Sequence, residues 1–251
     1  MEDIAQTLQP FFIEEPIEKE EYARLEDIIA AIKACTHIMP GSFYIIDFHK
    51  RDFCHVFEEH FFLAGYSPQD VRRMGLDFYR KCIPEKESNM VCAIIRAGFE
   101  RFNLLPEQTK MDYSLFCNFH LKRGNIQTLV NHRVTPLRLY HGKLWLALCT
   151  LTPAACNDLG RVFLHKHEGD HSTQFYDLKE GIWREFHFVP FTDMEKRIIL
   201  CTLKGMTIPE IATEVNRTVY AVKKARETLV KKSGTTRFLS LCHLALQHQL
   251  L

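Results

Sequence analysis

No run of about 18 uninterrupted apolar residues occurs in this chain, so no ordinary membrane-spanning helix is expected. Its first residues, Met1-Glu2-Asp3, lack the basic start and apolar core of a secretory signal. No C-x-x-C pair exists among the nine cysteines, which are odd in number and scattered from Cys35 to Cys242. A disulfide framework or a structural zinc site needs paired or clustered ligands, so these cysteines read as small buried residues of a reducing compartment. The protein is therefore expected to be soluble and cytoplasmic, without membrane contact. An excess of charge of one sign is missing too, since the formal net charge of +1 carries no whole-chain signal for nucleic acid. A glycine-rich phosphate loop, a nucleophile elbow and an H-E-x-x-H pair are likewise absent. No catalytic residue is assigned, and the chain is not expected to be an enzyme.

What is present is globular composition: 251 residues, 46% hydrophobic and 25% charged, enough for two ordinary domains. Residues 1–41 hold an acidic stretch and an amphipathic helix in which Tyr22, Leu25, Ile28, Ile29 and Ile32 share one face. Two strands follow, Ser42 to Asp47 and Asp52 to Phe57, joined by the polar turn His49-Lys50-Arg51. From residue 58 to about 105 the apolar spacing is helical, in short pieces and then one longer helix from about Glu85 to Phe102. Strands return near Tyr113 to His120, Ile126 to Tyr140 and Leu144 to Leu151, separated by glycine turns at Gly124 and Gly142. Two strands, several helices and three strands make an α+β domain with an antiparallel sheet.

The segment 42–152 resembles a PAS domain. The resemblance rests on Ala64-Gly65-Tyr66-Ser67-Pro68-Gln69-Asp70-Val71, on Gly75-Leu76-Asp77-Phe78-Tyr79, and on the hairpins around Gly124 and Gly142. It implies a sensor domain gated by a small-molecule ligand or by a partner, and fold analogy cannot name that ligand. The aromatics Phe43, Tyr44, Phe61, Phe62, Phe78, Tyr79, Phe99 and Phe102 read as core before they read as a cofactor box, and no cofactor is named. Residues 153–187 read as a connection, with a hairpin around Glu168-Gly169-Asp170. His165, His167, Asp170 and His171 there read as a polar hairpin tip, and no metal ligand is assigned.

Residues 188–251 carry the functional expectation. Four helical segments each begin at a threonine: Thr192 and Thr207 with glutamates three residues on, Thr218, and Thr235 or Thr236. Gly205 and Gly234 stand at helix stops. In the third segment Val222, Ala225 and Leu229 share one face, while Tyr220, Lys223, Lys224, Glu227 and Lys231 project from the other. Asn216-Arg217 supplies the short connection of a helix-turn-helix. Ten basic residues against five acidic ones give this segment a balance of +5 and leave −4 for the remainder, which orients the basic end toward phosphate.

This segment resembles the LuxR-type DNA-binding domain. The residues that carry the resemblance are Thr192 with Glu195, Gly205-Met206-Thr207, Glu210-Ile211-Ala212, Thr218 with Val222-Lys223, Leu229, Lys232 and Gly234-Thr235. It departs from the family at Ala225, where histidine is usual, and at Ser233, where leucine is usual. The whole chain is thus expected to be an α+β PAS-like sensor domain followed by an all-α tetra-helical helix-turn-helix domain, a bacterial-type transcription regulator. The resemblance implies that the helix beginning at Thr218 enters the major groove of double-stranded DNA. Val219, Tyr220, Lys223, Lys224 and Glu227 are then candidates for base edges, and Thr207, Thr218, Arg226, Lys231, Lys232 and Arg237 for phosphates, with Arg217 in the turn beside them. A homodimer is the expected assembly: the resemblance suggests the apolar last helix, with Leu239, Cys242 and Leu246, as its contact, and the amphipathic helix at 20–35 is a second candidate. The alternative is an interaction module whose helical domain docks a protein; the Lys223 and Lys224 face argues against it, since docking helices expose apolar anchors.

Overall fold

Side chains alternate between the two faces of a strand, so a strand buried at every position has protein on both sides. Ser42–Asp47 (β1) is such a strand. It pairs antiparallel with Asp52–Val56 (β2) through the expected turn, where Arg51 takes a left-handed φ of 61°. Tyr113–Arg123 (β3), Ile126–Tyr140 (β4) and Lys143–Pro153 (β5) follow as hairpins, turning at Gly124 and at His141-Gly142. Val162–Lys166 (β6), Thr173–Asp177 (β7) and Ile182–Phe186 (β8) continue the same sheet, whose order is β2-β1-β5-β4-β3-β6-β7-β8. This computed structural model describes residues 3–39, 41–57, 63–154, 159–170, 172–186, 191–233 and 237–247.

The stretch read as a connection therefore supplies three strands, of which only the β6–β7 hairpin was expected. β6 covers the edge of β3 from Tyr113 to Cys117. Past that run, the buried Glu87 accepts from the backbone amide of His120 at 2.9 Å and pairs with its ring at 2.8 Å.

Three helices precede β1: Ile4–Leu8 (α1), Lys19–Tyr22 (α2) and Leu25–Thr36 (α3). The single amphipathic helix expected here is broken at Ala23-Arg24, yet Tyr22, Leu25, Ile29 and Ile32 still face one apolar cluster. Between β2 and β3 lie Pro68–Met74 (α4), Asp77–Cys82 (α5) and Glu85–Asn103 (α6). Ser67 and Asp70 cap α4 reciprocally, with Pro68 at its first position. On α6, Gly98 lies so close to the sheet that a Cβ there would stand 2.5 Å from Leu115. Helices α1, α4, α5 and α6 bury Leu8, Val71, Phe78 and Ile94 in one cluster with Phe119, Val130 and Leu151 of the sheet. On the opposite face Ile13 and Ile17 pack with Phe43, Ile45, Trp145 and Leu146.

The remaining described helices, Asp193–Leu203 (α7), Ile208–Glu214 (α8), Val219–Ser233 (α9) and Phe238–Gln247 (α10), form a second compact unit. Its own core is built on Ile198, Ile199, Ile211, Val222, Leu229, Leu241 and Cys242. Gly234 and the Thr235 or Thr236 cap lie outside the described residues. Six of the eight described cysteines are buried as expected; Cys35 is exposed and Cys54 partly so. No described helix is long and apolar enough to cross a membrane.

Candidate functional site

Helix α8 begins where expected. Glu210 accepts from the Thr207 backbone amide and from its hydroxyl, both at 2.7 Å, and these bonds hold its carboxyl below the usual range. The helix ends at Glu214; two residues on, Asn216 takes a left-handed φ of 51°, while Arg217 donates its amide back to the Ala212 carbonyl at 2.9 Å. Asparagine tolerates this backbone region better than most residues, and it turns the chain within four residues into α9. There the Thr218 hydroxyl accepts from the Ala221 amide at 3.1 Å.

Along α9, Val222 and Leu229 are buried, with Ala225 packed beside them. Val219, Tyr220, Lys223, Lys224, Glu227 and Lys231 are exposed, Tyr220 by 73%. Thr207, Arg217, Thr218 and Arg237 are exposed as well. Two residues expected at phosphates are engaged inside the unit. The Arg226 guanidinium lies 4.4 Å over the Phe238 ring. The Lys232 ammonium bonds Glu195 at 3.0 Å. Glu195 is itself half of the capping box of α7; burial pushes its carboxyl up, but the Thr192 bonds and Lys232 outweigh burial and hold it low. Ser233, where leucine was the family habit, is buried and donates to the Val230 carbonyl at 3.1 Å.

The first unit holds a second candidate site, an interior cavity of about 50 Å³ against β3, β4 and β5. Ile4, Leu8, Val91, Ile94 and Phe99 line it from the helical side, and Phe119, Val134 and Cys149 from the sheet. Its polar end is a chain of three buried groups: Tyr79 and Tyr44 share a hydroxyl bond of 2.6 Å, and Tyr44 meets His132 Nε2 at 2.8 Å. Cys117 Sγ lies 3.9 Å from the other ring nitrogen. Burial pushes His132 down to about 4, so its ring is neutral at neutral pH, and lifts the Cys117 thiol to about 12. Burial also raises both tyrosines well above their ordinary range. Tyr44, Tyr79 and Phe99 were expected as core; Phe61 and Phe62 lie outside the described residues. His132 was missed, although its alternation with Val130 and Val134 on one strand signals an inward direction.

His165, on β6, and His167, just after it, spend ring nitrogens on hydroxyls: His165 on Thr173 at 2.7 Å, His167 on Ser114 at 2.8 Å. His171 lies outside the described residues. Among the described residues no three His, Cys, Asp or Glu side chains gather to hold a metal ion.

No family model matches this chain, and no curated protein matches it. Solved structures do. A phage VqmA–DPO complex is 16% identical, with 90% of each chain covered and a TM-score of 0.32. A Vibrio cholerae VqmA–ligand–DNA complex is 15% identical over 90% of this chain and 88% of that one, at 0.32. The V. cholerae VqmA dimer without target DNA, described among LuxR-type receptors, is 14% identical over the same shares, at 0.27. At this level the likeness is one of neighbours and assigns no activity.

Proposed function

We propose that this chain is a sequence-specific regulator of transcription, cytoplasmic and homodimeric, that binds double-stranded DNA through α8 and α9 of a LuxR-type domain. The observation that carries this reading is the exposed face of α9, where Val219, Tyr220, Lys223, Lys224 and Glu227 stand free directly after a capped four-residue turn. A helix so presented fits the major groove, with side chains long enough to reach base edges. Thr207, Arg217, Thr218, Lys231 and Arg237 flank it as phosphate contacts, while Arg226 lies over the Phe238 ring and the exposed Lys232 is paired with Glu195. Leu239 and Leu246, 53% and 50% exposed and seven residues apart on α10, supply an apolar stripe for a second copy.

The first unit is the sensor. A PAS-like reading is supported by two strands, a helical insert and three strands around an interior cavity. The lining, apolar except for the tyrosine–histidine end, matches a small uncharged ligand with one hydrogen-bonding group.

Selection of bound sequences from random duplex DNA, repeated at two salt concentrations, tests the main reading. A palindromic motif with weaker binding at high salt is the expected result. Enrichment of no sequence would overturn it and favour a helical unit that docks a protein.

A further inference from the structure

Residues 3–22 touch both faces of the sheet. On the inner face Ile4 and Leu8 of α1 are cavity walls, and Phe11 stacks on Phe99, another wall, at 4.7 Å. The chain crosses at Ile13, whose amide donates to the Phe48 carbonyl at 3.2 Å. Beyond this point everything lies on the outer face, where Ile13 and Ile17 are buried with Trp145 and Phe43. Each of three acidic residues is met by a cation of the sheet or its turns: Glu14 by Arg51 at 2.5 Å, Glu15 by Lys143 at 2.8 Å and Glu21 by Arg138 at 3.4 Å. The Tyr22 hydroxyl donates to the buried Asp47 at 2.9 Å and accepts from Trp145 Nε1 at 3.3 Å; the Lys50 ammonium lies 4.0 Å over its ring.

Two facts make the inner half the movable wall. At five residues, α1 is far too short to persist without the packing beneath it. Beside it, a polar cleft of about 380 Å³ lined by Asp3, Arg80, Glu85, Ser88 and Lys122 also touches Ile4 and Tyr79, which line the cavity too. These two side chains are the partition between cleft and interior. A cavity of about 50 Å³ has room for little more than a few water-sized groups, so a larger occupant must push a wall outward.

We propose that residues 3–22 are a strap that reports cavity occupancy: an occupant entering from the cleft displaces α1, and the displaced chain loosens its clasp on the outer face and with it α3. This goes beyond the DNA-binding reading and stands whether or not that reading survives.

The test uses the full chain carrying Trp183→Phe, which leaves Trp145 as its one tryptophan. Cys149→Phe is added to fill the interior from β5, on the far side from the strap. Amide exchange by mass spectrometry is read for residues 3–12 and 13–36, together with collisional quenching of Trp145, which is 1% exposed. The expected result is exchange faster by about tenfold or more in both halves, with Trp145 becoming quenchable and β3 to β5 unchanged. Faster exchange in 3–12 alone with Trp145 still shielded, or no change in either half, overturns the proposal. Should Cys149→Phe not fold, Leu8→Asp, which expels α1 directly, is read the same way: both halves loosening supports the strap, and a loosened 3–12 beside an unchanged outer half refutes it.

Discussion

Replacing Lys231 and Arg237 together by glutamine removes two exposed charges assigned to phosphate without altering the capped turn before α9 or the buried Val222 and Leu229 behind it. Each phosphate neutralised contributes about 0.9 to the slope of log affinity against log salt, so the double variant loses about 1.8 per protomer. Over a fourfold rise in salt this amounts to about tenfold less loss of affinity for the variant than for the parent chain. Anisotropy titrations on the selected duplex at low and high salt measure it. The structure also names the control. Lys232 bonds Glu195 at 3.0 Å and Arg226 lies over Phe238, so Lys232→Gln and Arg226→Gln should lower the stability of the second unit and leave the slope as it was. A double variant with the parental slope, beside a Lys232 or Arg226 variant with a shallower one, would refute the assignment of the binding face.

Leu229→Ala empties a fully buried position of the second unit and should cost about 2–5 kcal/mol. Both tryptophans lie in the first unit, so urea unfolding should show the loss in helical circular dichroism with the Trp145 and Trp183 signal unmoved. Glu87→Ala strips the buried acceptor from the His120 amide and should cost about 1–3 kcal/mol, read as a lower urea midpoint of the tryptophan transition. His132 is depressed from 6.5 to about 4 in the folded chain, so the unfolded chain binds its proton first as pH falls. Stability is therefore full above about 6.5 and is lost between there and about 4, by about 3 kcal/mol in all; His132→Gln should flatten that part of the stability–pH curve.

Local chemistry made the second unit readable. The Thr192 and Thr207 boxes, the Thr218 cap and the left-handed Gly205 involve partners within four residues, a distance over which sequence patterns carry physical meaning. What sequence could not show is what the same side chains meet across space. Lys232 reaches a glutamate 37 residues earlier, and its exposed-looking helical position gives no hint of it. The tyrosine–histidine end of the cavity is assembled from β1, α5 and β4, over 35 and 88 residues. Strand β8 was unreadable for another reason: from Ile182 to Glu185 only Trp183 is even partly buried, so the alternation that marks a strand is missing.

The chain Tyr79–Tyr44–His132 ends in a neutral imidazole, and a neutral imidazole has two tautomers. With the proton on Nδ1, Nε2 accepts from Tyr44, Tyr44 accepts from Tyr79, and Tyr79 turns lone pairs toward the interior. With the proton on Nε2 every bond in the row reverses, and Tyr79 has its own hydrogen to give. One proton moved across a ring thus changes what the cavity wall offers from acceptor to donor while its charge stays at zero, and the same 50 Å³ of space can greet a hydroxyl or a carbonyl with equal propriety.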